Sequence, residues 1–125
     1  MSDIENRLRE IKIEDYIWII YLGIIIFSWY SNSLERKYFL NNDINAKNKY
    51  REVMIGIFTV LVIVYFYFLY DSYKSIINLD KYVDEEKKKY VILSFIASLL
   101  IFISGLIFLY IAIKDNNLDV ELAFN

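Results

Sequence analysis

Three stretches of this 125-residue chain contain no charged side chain: Tyr16 to Leu34, Val53 to Tyr70 and Tyr90 to Ile113, with lengths of 19, 18 and 24 residues. Short segments crowded with Lys, Arg, Asp and Glu separate them. A bilayer offers no water to a free backbone N–H or C=O, so apolar runs of this length cross it as helices. At about 1.5 Å per residue, each comes close to or exceeds the roughly 30 Å of hydrocarbon. The composition agrees with that setting: 58% of the residues are hydrophobic, and there are only three Gly and no Pro to interrupt helices. A soluble helical bundle is the competing reading. It would need a polar stripe on each outer helix face, and Val91 to Ile113 offers only Ser94, Ser98 and Ser104 for that purpose. The expected fold class is therefore all-α, an integral membrane three-helix bundle with a short N-terminal amphipathic helix.

The expected organisation is a single membrane domain over 1–125. Residues 1–15 form the amphipathic segment, 16–34, 53–70 and 90–113 form the spans, and 114–125 form a polar tail. Ile4, Leu8 and Ile11 recur at i, i+4 and i+7 among Arg7, Arg9, Glu10 and Lys12, which predicts a short helix along the membrane surface. Glu14 and Asp15 then stand where carboxylates suit the positive end of a new helix. Met1 to Asp15 carries a net charge of −2 from three basic and five acidic residues, opposite in sign to a secretory leader, so span 1 is expected to be retained. Asn41-Asn42-Asp43 predicts a turn, and the helix of span 2 is expected to continue to about residue 79 through Tyr73, Ile76 and Ile77. Asp80 to Lys89 then turns the chain back.

Membrane helices gain little from apolar contact alone and associate through close backbone approach and interhelical hydrogen bonds. Ser94, Ser98, Gly105 and Ala112 are spaced by 4, 7 and 7, which keeps small residues on one line of span 3. This is the expected packing seam, with Gly23 and Gly56 as partner positions in spans 1 and 2. A homodimer seam uses the same pattern. Trp18 and Trp29 mark the membrane boundaries of span 1, and the aromatic cluster from Tyr65 to Tyr70 marks one end of span 2. Lys87, Lys88 and Lys89 abut span 3. The face holding the N-terminus has eight Lys/Arg against six on the other, which tilts the orientation toward a cytoplasmic N-terminus.

Several chemistries lack their residues. There is no Cys for thiol, disulfide or thiolate–metal chemistry and no His for imidazole catalysis or ligation. No ionisable residue lies inside a span, where transporters place their coupling groups. No phosphate loop or nucleophile–base pair occurs, and the overall charge of −2 argues against nucleic acid. No catalytic, cofactor or metal residues are expected. The expected partners are the lipid bilayer and either a second copy or another membrane protein.

The segment Ile13-Glu14-Asp15-Tyr16-Ile17-Trp18, the isoleucine-rich stretch after it and Leu34-Glu35-Arg36-Lys37-Tyr38-Phe39-Leu40 resemble small three-span membrane proteins of bacteria with AT-rich genomes. That group brings no established activity, so the resemblance implies a bacterial plasma-membrane setting alone. The leading expectation is a non-enzymatic accessory or regulatory subunit acting through helix contacts. The alternatives are a holin-like self-assembling protein, from which the tail with one Lys against Asp115, Asp119 and Glu121 departs, and a bacteriocin-type immunity protein.

Overall fold

The computed structural model describes residues 2–79 and 84–115. Most of the expected polar tail, and the part of the second connection that includes Lys81, lie outside the described residues. Among the described residues the chain is all-α, with three helices and no strand: α1 (Ser2–Asn41), α2 (Ile44–Ile77) and α3 (Glu85–Lys114). Each contains one of the charge-free stretches and extends beyond it. Two of them, α2 and α3, are long and apolar enough to cross a membrane. In α1 the apolar run is diluted by Ser28, Ser31, Asn32 and Ser33 and by five aromatic rings with polar edges, Tyr16, Trp18, Tyr21, Trp29 and Tyr30.

The N-terminal segment is not a separate short helix. Ser2–Asn41 is one uninterrupted helix of 40 residues, about 60 Å long at the standard rise. Nothing in Ile11 to Trp18 breaks a helix, so the turn before them already satisfies their backbone N–H groups. Glu14 consequently caps nothing. It stands inside α1, where Arg7 bridges it at 3.7 Å and Glu10 at 3.3 Å. These side chains are largely in solvent, where such pairs contribute little stability. Ile4 and Leu8 are exposed as well, at 63% and 59%.

The chain divides into two compact units, Met1–Val53 and Met54–Asn125. In the first, α1 ends where Asn42 takes a left-handed φ of 52° and its N–H donates to the Tyr38 carbonyl at 2.8 Å. Asparagine tolerates that conformation better than other residues with a Cβ, so it can stand where helices commonly place glycine. Asp43 follows at once as the N-cap of α2. Its side chain accepts from the Ala46 N–H at 3.3 Å and its carbonyl from the Lys47 N–H at 3.2 Å. A reversal of two residues leaves the end of α1 and the start of α2 side by side. Leu34, Ala46 and Tyr50 are buried there, and Lys47 and Lys49 lie over the rings of Tyr38 and Tyr30 at 5.4 and 5.8 Å from their centroids.

Tyr50 is only 2% exposed, and its hydroxyl donates to the Glu35 carboxylate. Burial pushes its phenol from the ordinary 10 up to about 12, and the negative charge and hydrogen bond of Glu35 push in the same direction. Between those values an unfolded chain loses the proton that the folded one keeps. The stabilisation is therefore complete below pH 10 and drains away as pH rises toward 12. A shift of this size corresponds to roughly 2–3 kcal/mol. In an absorbance titration of tyrosinate, Tyr50 should ionise late, and Tyr50→Phe should remove one step near pH 12 while leaving the earlier ones.

In the second unit the remainder of α2 and all of α3 form an antiparallel pair whose register runs without a slip. Phe58 stacks on Phe108 with ring centroids 5.7 Å apart, Phe66 meets Phe102 at 5.7 Å and Tyr73 meets Phe95 at 6.3 Å. Asp84 starts α3 by accepting from the Lys87 N–H at 3.1 Å, and Glu85 and Glu86 occupy the first turn, where negative charge suits the helix dipole.

Candidate functional site: the α2–α3 seam and its polar cleft

The second unit places the line of small residues on α3 against α2 at two levels. Gly105 is buried and faces Tyr65 and Val62: a Cβ built at Gly105 would lie 2.9 Å from Tyr65 Cδ2, 3.3 Å from its Cε2 and 3.4 Å from Val62 Cγ2. One helical repeat toward the N-terminus of α3, the Ser98 hydroxyl is 2.9 Å from that of Ser72. One repeat the other way, Ala112 is 3% exposed. Phe58, Tyr65 and Ser72 on α2 are likewise seven apart, and they oppose Phe108, Gly105 and Ser98. Recurrence at seven keeps a seam facing its partner along a gently supercoiled helix pair. Ser94, the fourth residue of the line, is exposed and lines a cleft at the end of the pair where α2 finishes and α3 begins.

Within this unit Gly56 does not receive the seam, and nothing lies within 4 Å of the place where Gly56, or Gly23 on α1, would carry a Cβ. The physical reason is complementarity of volume: the gap left by Gly105 is filled by the ring of Tyr65, a large side chain, and not by a second small one. Tyr65, Val62 and Ser72 are the residues that sequence reasoning missed. Their one available signal was the seven-residue spacing of Tyr65 and Ser72, which matches that of Ser98 and Gly105.

Trp18 and Trp29 stand exposed on α1 at 67% and 78%. Lys87, Lys88 and Lys89 fall in the first turns of α3, where Lys88 reaches Glu85 at 3.9 Å. The cleft beside them has a volume of about 380 Å³. Ser72 and Ser75 line it from α2, Ser94, Tyr90 and Val91 from α3, and Asp84, Glu86 and Lys87 from the start of α3. Much of its polar capacity is already engaged. Ser75 donates to the Asp71 carbonyl at 3.1 Å and the Tyr90 hydroxyl to Glu86 at 3.3 Å. Among the described residues no three acidic side chains gather as a metal site would require.

The Ser72–Ser98 contact is an interhelical hydrogen bond between side chains. Measured couplings of this kind between membrane helices average about 0.6 kcal/mol, because hydroxyls released from each other find other acceptors. A double-mutant cycle of Ser72→Ala and Ser98→Ala, read by unfolding in detergent, should return a coupling of about that size and below about 1.7 kcal/mol. A coupling of zero would mean that the two hydroxyls do not meet.

No protein-family model, curated protein or solved structure matches this chain.

Proposed function

We propose that this chain is a non-enzymatic integral membrane protein, spanning the bilayer at 16–34, 53–70 and 90–113, that works through helix–helix contacts as an accessory or regulatory subunit of a membrane complex. One observation carries the membrane setting. The most apolar window of α3 is only 6% buried. A core helix of a water-soluble protein would show the opposite. Large apolar side chains lie open around its circumference, among them Leu93 (49%), Leu100 (60%), Ile103 (43%) and Ile107 (55%). Lipid covers such a surface without any further protein contact, whereas water would leave a contiguous apolar patch far larger than monomeric soluble proteins carry. The subunit role is supported by what the packed residues are: glycine, serine and aromatic rings, suited to docking helices and offering no nucleophile–base arrangement.

Two experiments separate the parts of this reading. Alkaline extraction and flotation with vesicles should leave the full chain in the lipid fraction, and recovery in the aqueous phase would end the membrane assignment. Crosslinking in membranes before mild-detergent purification should recover a stoichiometric partner, and a chain recovered alone would end the subunit assignment. Cysteine labelling from either side of the bilayer tests the orientation. Asn45 and Glu85 are suitable sites, since both are exposed and neither is the N-cap of its helix, unlike Asp43 and Asp84.

A further inference from the structure

We propose, resting on the subunit reading above and deepening it, that the outward line of α1 is the docking seam for a helix of another membrane protein, one that sets a Lys or Arg against Asp15. Outside the span the line consists of Ile4, Leu8 and Ile11, all exposed and the only apolar residues in Ile4 to Lys12. Inside the span it continues through Trp18, Leu22, Ile25 and Trp29, each more than half exposed. Steps of four and three alternate from Ile4 to Trp29, with Asp15 filling the one remaining place. That spacing keeps the line on one side of a helix and is the one by which paired helices interlock. Another side of α1 is already covered: Ile17 and Ser31, two helical repeats apart, are buried.

Neither water nor lipid covers this line well. α1 runs through Asp15 without a break, so Leu8 and Ile4 stand about 10 and 16 Å beyond it, whereas the headgroup layer is only about 5–8 Å deep on each side. Their apolar surface is therefore in water. Toward the other end, Trp29 lies about 8 Å inside the span limit at Leu34, and among the described residues its indole N–H has no acceptor. An unpaired N–H in hydrocarbon is costly. A protein helix answers both needs, following the apolar line past the bilayer and offering an acceptor to the indole. The apolar side chains of the line present roughly 700–900 Å², close to the roughly 800 Å² that one partner gives to a standard interface. Charge then selects the occupant. Arg7 is bridged to Glu10 and Glu14, while Asp15, exposed at the mouth of the span, has no ion-pair partner among the described residues. A second copy inserted the same way would set Asp15 against its own counterpart and Arg7 beside the counterpart of Lys12, like charges at both levels. A foreign helix with one cation at that level turns the same position into a charge-assisted contact that fixes its register.

The test is photocrosslinking of the full chain in its native membranes, with p-benzoylphenylalanine placed singly at Leu8, at Leu22 and, off the line, at the exposed Leu100 of α3. Leu8 and Leu22 should give an adduct to one and the same foreign protein, and Leu100 should not. Asp15→Lys should cut that adduct by about tenfold or more at both positions, the factor carried by one charge-assisted hydrogen bond, and Asp15→Glu should keep it. The crosslinked peptide should carry a Lys or Arg level with Asp15, and changing that residue to Glu should restore the adduct of Asp15→Lys. Asp15 is exposed, so these variants leave the packing of the chain intact, and circular dichroism and flotation check that each is folded and inserted. An adduct between two copies of the chain would overturn the proposal in favour of self-association. No adduct from the line, an adduct equally strong from Leu100, indifference to Asp15→Lys or failure of the charge exchange to restore it would overturn it outright. A partner captured from Leu100 alone defeats this proposal and leaves the subunit reading standing, whereas a chain that fails to float defeats the membrane reading beneath both.

Discussion

Gly105→Ile is expected to lower the stability of the α2–α3 pair by roughly 2–3 kcal/mol, at the upper end of what overpacking usually costs, with the loss read as a lower unfolding temperature in detergent. The argument is steric. A Cβ at this position already meets Tyr65 Cδ2 at 2.9 Å, closer than real Cβ atoms approach, and isoleucine adds three further carbons beyond it. The ring of Tyr65 cannot shrink, and its neighbours Phe66 and Tyr73 are engaged with Phe102 and Phe95 on the same partner helix. The helices must therefore separate locally, loosening the stack of Phe58 on Phe108 and the Ser72–Ser98 bond on either side. Gly105→Ala makes the smallest such intrusion and should cost less. The clash is specific to one ring, so Tyr65→Ala in the Gly105→Ile background should recover part of the loss. That non-additivity distinguishes packing from a general effect of β-branching on the helix. If Gly105→Ile unfolds at the native temperature, the Gly105–Tyr65 contact does not hold these helices together.

The same contact shows how far residue spacing leads and where it stops. A helix repeats its faces with a fixed period, so Ser98, Gly105 and Ala112 could be placed on one line of α3 from their numbers alone. What opposes that line on α2 depends on register, and register is set by the length and geometry of the connection between the helices. Local sequence carries little of that information. Pairing glycine with glycine, as the expectation for Gly56 did, assumed that small residues seek each other. In the folded pair a small residue makes room for a large one, and α2 supplies Tyr65. The turn at Asn42–Asp43 was more legible because its chemistry is local: one residue that accepts a left-handed φ is followed by one whose side chain caps the next helix. Glu14 and Asp15 mislead for the converse reason. A carboxylate suits a helix N-terminus and also suits a basic residue a turn or two away, and Arg7 supplies the second option for Glu14. The cleft was not legible at all, because Ser72, Ser75 and Ser94 come from helices whose relative placement only the fold provides.

Ile101→Lys separates lipid from water as the surroundings of α3 more sharply than any packing variant, because the two surroundings give effects of different size and opposite benefit. Ile101 lies near the middle of the charge-free stretch 90–113 and is 49% exposed. In water, exchanging an exposed isoleucine for lysine changes stability by less than about 0.5 kcal/mol and improves solubility. At the centre of a membrane helix, lysine is disfavoured by roughly 2.5–3.5 kcal/mol on insertion scales, and the favourable contribution of isoleucine is lost as well, for a total of about 3–4 kcal/mol. Snorkelling does not rescue this position, since the side chain would have to reach past ten or more residues of apolar helix in either direction to meet charged neighbours at Lys89 or Lys114. In a translation system supplied with membranes, the variant should insert α3 poorly, and the residues after it should stay accessible to protease on the side from which they were made. Glu85→Lys, on a solvated side chain at the start of the same helix, makes a charge change outside the charge-free stretch and should insert normally. Equal insertion of Ile101→Lys and the unaltered chain would mean that α3 does not pass through hydrocarbon, and its exposed apolar surface would then have to be covered by protein.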